Sequence, residues 1–107
     1  MSDREVKRKL TAILSADVEG YSRLIGEDEI STIRTLKKYK EMMTKLIQQH
    51  RGRVVDSAGD NLLAEFASVV EAVQCAVEIQ RNLAKRNQEL SEERKMAFRI
   101  GSTLAMW

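Results

Sequence analysis

The stretch Leu10–Leu24, LTAILSADVEGYSRL, decides how the rest of the chain is read. It opens by alternation. Leu10, Ala12, Leu14, Ala16 and Val18 fall on one side of an extended chain, with Thr11, Ile13, Ser15 and Asp17 on the other, as in a strand with one buried face. The strand closes on a carboxylate, Asp17, followed by Glu19-Gly20 and then by Tyr21 and Ser22. A strand that ends in Asp and turns through Gly into a helix start suits a metal-bound phosphate. The carboxylate holds the cation, glycine lets the backbone come close, and free amides face the anion. Many strands end in Asp-x-x-Gly, so the pattern gains weight only if a second carboxylate arrives beside it.

Outward from this stretch, Tyr21–Ile25 reads as a short helical turn ended by Gly26, and Asp28 as the cap of a helix over Glu29–His50. Ile30, Ile33, Leu36, Met43, Leu46 and Ile47 recur at helical spacing on one face of it. Lys37, Lys38, Lys40 and Lys45 lie mostly off that stripe and read as a solvated surface. Arg53–Ser57 is then a short strand, Ala58-Gly59 a turn, and Asp60–Phe66 a strand with Leu62, Ala64 and Phe66 on one face. Ser68-Val69-Val70-Glu71 is a capping box that launches a helix to about Arg86, burying Val69, Ala72, Val73, Ala76, Ile79 and Leu83. A polar connector, Asn87–Arg94, leads to a last strand near Met96–Gly101.

The order β-α-β-β-α-β predicts an α+β domain with a ferredoxin-like antiparallel sheet and its helices on one face. In that topology the first and third strands are central, antiparallel neighbours. The end of the first strand, Asp17, then lies beside the start of the third, Asp60. Paired acids on adjacent strand ends repel unless a cation sits between them. Magnesium takes oxygen ligands and keeps positions open for substrate phosphates. With amides offered by Gly20–Ser22, the pair points to a magnesium–triphosphate site of the two-metal kind. The alternative is that Asp17 ends a strand and Asp60 begins one, each solvated and without metal.

Composition bounds the rest. A chain of 107 residues with 43% hydrophobic and 32% charged residues reads as one soluble, globular domain. Proline is absent and glycine scarce, so no linker divides it. A net charge of +2 gives no argument for nucleic acid, and the basic start, Arg4 to Lys9, reads as a solvated lead-in over residues 1–8. No apolar run approaches the roughly 20 residues that cross a bilayer. The single cysteine, Cys75, sits in a helical apolar pattern as a buried small hydrophobe and fits a reducing, cytoplasmic setting. His50, the only histidine, has no Cys or His neighbour with which to hold zinc.

The segments LSADVEGYSRLIGEDE, GRVVDSAGDNLLAEF and ASVVEAVQCAVEIQRNLAKRN resemble the class III adenylate/guanylate cyclase catalytic domain in its bacterial form. The likeness spans Lys9 to Gly101 and covers only the N-terminal portion of that domain. It implies that Asp17 and Asp60 hold two metal ions, Mg²⁺ or Mn²⁺, helped by the carbonyl of Val18. It also implies that the loop Glu19, Gly20, Tyr21 and Ser22 covers the triphosphate of ATP or GTP. The implied reaction is attack of the ribose 3′ oxygen on the α-phosphate, giving a cyclic nucleotide and pyrophosphate. The implied assembly is a head-to-tail dimer, of this chain or with another cyclase-like chain.

Two departures from the family pattern shape the expectation. Asp56 stands where the adenylate cyclases usually carry lysine; an ionised carboxylate only accepts hydrogen bonds, so Asp56 favours guanine, whose edge offers N–H donors, or marks a pocket that reads no base, or is an exposed strand residue with no role. The family then continues beyond Arg99-Ile100-Gly101 with an Asn and an Arg that orient the ribose and stabilise transition-state charge. Here residues 102–107, STLAMW, do not match, which predicts a partial domain with no catalytic residue of that kind and little turnover alone. Leu104, Met106 and Trp107 could contact another chain or fray. The sequence thus supports a nucleotide cyclase domain in cyclic-nucleotide signalling. The alternative is a non-catalytic, cyclase-like dimerisation or regulatory module. A ferredoxin-like RNA binder is disfavoured, because the central strands lack aromatic pairs.

Overall fold

A computed structural model describes residues 10–106. Its elements are β1 (Leu10–Val18), α1 (Tyr21–Glu27), α2 (Glu29–Gln49), β2 (Gly52–Asp56), β3 (Leu62–Phe66), α3 (Val69–Asn87), a 3₁₀ turn over Glu92–Arg94, and β4 (Phe98–Met106). The strands form one antiparallel sheet in the order β2-β3-β1-β4, the expected ferredoxin-like arrangement with β1 and β3 in the centre. The predicted alternation in β1 holds: Ala12, Leu14, Ala16 and Val18 are buried against the helices, together with Leu62, Ala64 and Phe66 of β3. The lead-in over residues 1–8 and the contact role of Met106 and Trp107 fall outside what is described.

Helix boundaries follow capping chemistry. The Asp28 carboxylate accepts the Ser31 amide at 3.0 Å and starts α2, while α1 runs through Gly26 instead of stopping there. Ser68 Oγ accepts the Glu71 amide at 3.2 Å, but the Glu71 carboxylate does not return to the cap; it turns to His50 Nδ1, 3.2 Å away.

The buried faces are rotated from the predicted ones. In α2 the buried row is Thr32, Leu36, Tyr39, Met42, Met43, Leu46 and Ile47, whereas Ile30 and Ile33 are exposed. Thr32 replaces them because its hydroxyl donates to the Leu24 carbonyl at 2.8 Å, joining α2 to α1. In α3 the buried row is Ala72, Cys75, Ile79 and Leu83, with Val69 and Val73 exposed. Asn87 ties the connector down: its Nδ2 donates to the Met96 carbonyl, and its Oδ1 accepts the Met96 amide and the Tyr39 hydroxyl.

Residues 102–106 are not a frayed end. They continue β4, which pairs with the whole of β1 from Leu10↔Met106 to Val18↔Phe98. A nine-residue central strand gives its neighbour a ladder of equal length, and each added pair satisfies backbone groups that would otherwise need water.

Candidate functional site

The rim where β1 ends gathers the predicted residues. Ala16 pairs with Leu62 in the β1–β3 ladder, so the antiparallel register carries Val18 toward Asp60. The contact is direct: the Val18 amide donates to Asp60 Oδ2 at 3.2 Å. Asp60 is not the first residue of β3, as the sequence suggested, but the last part of the turn before it. Its carboxylate therefore reaches the backbone immediately after Asp17.

Asp17 faces away from the helices, as the β1 alternation requires. In the β1–β4 ladder it is the direct partner of Arg99, whose Nη2 donates to Asp17 Oδ2 at 2.8 Å. The guanidinium thus neutralises one side of this carboxylate. Glu19 is exposed, with its amide donating to the Ala97 carbonyl at 2.8 Å. Gly20 takes the left-handed conformation (φ 65°) that turns the chain into α1. Tyr21 packs against the core, and Ser22 is exposed on the first turn of α1.

Asp56 joins the same rim through an irregularity that alternation alone does not predict. In the β2–β3 ladder Val54 pairs with Ala64, but Asp56 pairs with Leu63, leaving Val55 as a bulge. In a regular ladder Asp56 would oppose Leu62 and point toward the helices. The extra residue moves it to the other face, where Ser15 opposes Leu63. Asp56 and Asp17 consequently line one cleft of about 340 Å³ with Ser15, Asn61 and Leu63.

Sequence reasoning missed two cations here. Arg99 becomes visible only once the β1–β4 register is known. Lys40, read as surface, is half-buried, and its Nζ donates to the carbonyls of Ser57 and Gly59 in the β2–β3 turn. Burial lowers its proton affinity, opposed in part by the negative charges of Asp60 and Asp56. A groove of about 730 Å³ runs along α2 past Lys37, Lys40 and Ser57 and includes neither Asp17 nor Asp60. It lies on the open shoulder beside the hairpin, apart from the cleft that Asp17 and Asp56 line.

Among the described residues no three His, Cys, Asp or Glu side chains are grouped to hold a metal ion. The rim offers instead two carboxylates and nearby backbone carbonyls. That donor set fits a hard divalent cation that keeps several positions for water and phosphate, and does not fit a closed protein cage.

No family model matches the chain. "Putative adenylate cyclase 3" of Rhizobium meliloti (strain 1021) is 43% identical over 105 residues, which is 97% of this chain and 18% of that protein. The crystal structure of an adenylate/guanylate cyclase/hydrolase from Silicibacter pomeroyi superposes with a TM-score of 0.83 at 35% identity, over 94% of this chain and 59% of that one. The chain matches the N-terminal portion of the class III nucleotide cyclase domain. The guanylyl cyclase Cya2 has the same fold, with a TM-score of 0.80 at 24% identity over 94% of this chain and 56% of its own. The chain spans less than two thirds of the length of each of these three proteins. Among the described residues no helix is long and apolar enough to cross a membrane.

Proposed function

We propose that this chain is the metal- and triphosphate-binding half of a nucleotide cyclase domain in cytoplasmic cyclic-nucleotide signalling. The observation that carries the reading is the Asp60 carboxylate resting on the Val18 amide, next to Asp17. Asp17, Asp60 and the Val18 carbonyl would hold two Mg²⁺ or Mn²⁺ ions. When bound, these ions neutralise phosphate charge and polarise the α-phosphate for displacement of pyrophosphate by the ribose 3′ oxygen.

The chain's own residues position the rest. Gly20 reverses the backbone so that the exposed Ser22 and the Glu19–Tyr21 segment border the triphosphate. Tyr21, packed on the core, fixes the root of that segment. Asp56, an acceptor on the cleft wall, suits the N–H edge of guanine and favours GTP over ATP. Within these 107 residues no Asn or Arg is assigned to the ribose and the transition-state charge. Since one such donor is worth roughly a hundred- to a thousand-fold in rate, turnover depends on these groups being supplied, and the proposed assembly is a dimer, of this chain or with another cyclase-like chain.

The test is a titration of Mn²⁺ into this chain and into Asp17→Ala, followed by product detection from ATP and GTP with and without a complete cyclase domain added. A clear loss of Mn²⁺ affinity in Asp17→Ala supports the reading; equal affinity overturns it. A second reading, a non-catalytic dimerisation or regulatory module, is favoured by the exposed Val69, Val70, Val73 and Val77 of α3, since clustered exposed apolar side chains favour a protein contact. It gains if the chain binds a complete domain and alters its rate without binding Mn²⁺.

A further inference from the structure

We propose that Lys40 is a positioning residue: reaching from α2, it grips the β2–β3 turn and so holds the Asp60 carboxylate against the Val18 amide. Lys40 Nζ lies 2.9 Å from the Ser57 carbonyl oxygen and 2.5 Å from that of Gly59, which bracket Ala58. The turn needs such a grip. Ser57, Ala58 and Gly59 are exposed, Gly59 is left-handed at φ 56°, and the other bond across the turn runs from the Asn61 amide to the Ala58 carbonyl at 2.9 Å. A segment with few buried contacts and a glycine opens easily.

The gripping residue, by contrast, is anchored. Leu36, Tyr39 and Met43 lie within one turn of Lys40 on α2 and are buried in the core, so its Cα is set by packing. An ammonium has three donors and no acceptor, which suits a group that must collect carbonyls. The turn it fixes ends one residue later in Asp60. The grip therefore links the core to the carboxylate by way of the helix, the ammonium and two carbonyls.

The part of this inference that concerns metal rests on the function proposed above; the part that concerns the turn does not. The experiment compares Lys40→Met, Lys40→Arg and Asp60→Ala with the unmodified chain by amide NMR. In Lys40→Met the Val18 amide should exchange with solvent about three- to ten-fold faster, the worth of one hydrogen bond, with its shift moved toward that in Asp60→Ala. Lys40→Arg, which keeps a donor on the same helix position, should restore most of the protection. A Val18 amide unchanged in Lys40→Met overturns the proposal, even if the melting temperature falls, because a merely structural contact would do only that.

Mn²⁺ affinity gives a second readout with a diagnostic sign. Removing a positive charge near a cation site should by Coulomb's law tighten binding. Weaker Mn²⁺ binding in Lys40→Met reports lost geometry and supports the proposal, while tighter binding counts against it. If the unmodified chain binds no Mn²⁺, the proposed function fails, and the Val18 amide still decides the role of Lys40.

Discussion

Replacing Gly52 by alanine tests whether the hairpin beneath the rim is packed as tightly as the structure shows. Gly52 pairs with Phe66 across β2 and β3. A methyl on its Cα would lie 2.7 Å from both Cδ2 and Cζ of the Phe66 ring, and closer still to Cε2. Comfortable carbon–carbon contacts lie at roughly 3.5–4.0 Å, so the overlap is on the order of 1 Å. The ring has nowhere to go, because Phe66 is only 1% exposed and its other ladder neighbour is Ala12 of β1. Overpacking of this kind costs about 1–3 kcal/mol, offset by about 0.4–1 kcal/mol from the stiffer unfolded chain. The net, about 1–2 kcal/mol, corresponds to roughly 5–15 °C in melting temperature for a domain of this size. Gly26→Ala is the control: it sits in α1 with nothing within 4 Å of the new methyl, and should gain up to about 1 kcal/mol. Urea and thermal melts of both variants, with Phe66→Leu alone and combined with Gly52→Ala, give the assay. The double variant should lose less than the sum of its parts. Gly52→Ala melting at or above the unmodified chain would refute the packing argument.

Three further outcomes are expected. Both ring nitrogens of His50 face carboxylates, Glu78 and Glu71, and the hydrogen bond to Glu78 leads in raising its proton affinity. The folded state then favours the imidazolium, so this contribution is full below the ordinary histidine value of about 6.5 and is lost as pH rises through the raised folded value. His50→Gln should cost on the order of 1 kcal/mol at about pH 5.5 and markedly less at about pH 9, read from urea midpoints; a pH-independent loss would contradict it. The Cys75 thiol, buried and pushed up to about 11 by that burial, should react with a thiol reagent near neutral pH only as the chain unfolds, at a rate that follows urea concentration. Arg99→Gln should leave the melting temperature nearly unchanged, as for other exposed pairs, while tightening Mn²⁺ binding at the proposed Asp17 site; weaker binding would show that Arg99 positions the carboxylate instead of competing for it.

That the end of β1 neighbours the turn leading into β3 was legible because it needs only the ferredoxin-like strand order, in which the first and third strands are antiparallel neighbours. The capping residues Asp28 and Ser68 were legible for the same reason, being local chemistry. What the sequence hid depends on partners remote in the chain. Ile30 and Ile33 fit the helical period as well as Thr32 does, and only the docking of α1 selects the row that is buried. Lys40 acts on backbone carbonyls, which every residue carries, so its partners leave no signature. Residues 102–106 were read as a tail because they depart from the family pattern, yet a strand needs a neighbour more than it needs a motif, and β1 supplies one.

The bulge at Val55 shows how little separates a strand from a site. Side chains alternate with a period of two, so in a regular hairpin the residue opposite Leu62 shares the face of the buried Ala16, and a carboxylate there would have to be desolvated under the helices. Shifting Asp56 by one place, to oppose Leu63, moves the same carboxylate to the face that holds Asp17. That shift lasts only while β2 stays registered on β3 at both ends. Gly52 against Phe66 pins the end nearest the core, and Lys40 on Ser57 and Gly59 pins the turn. A clash at the first should therefore loosen the cleft at the second without touching any acid, and the geometry of the rim depends on residues that carry none of its carboxylates.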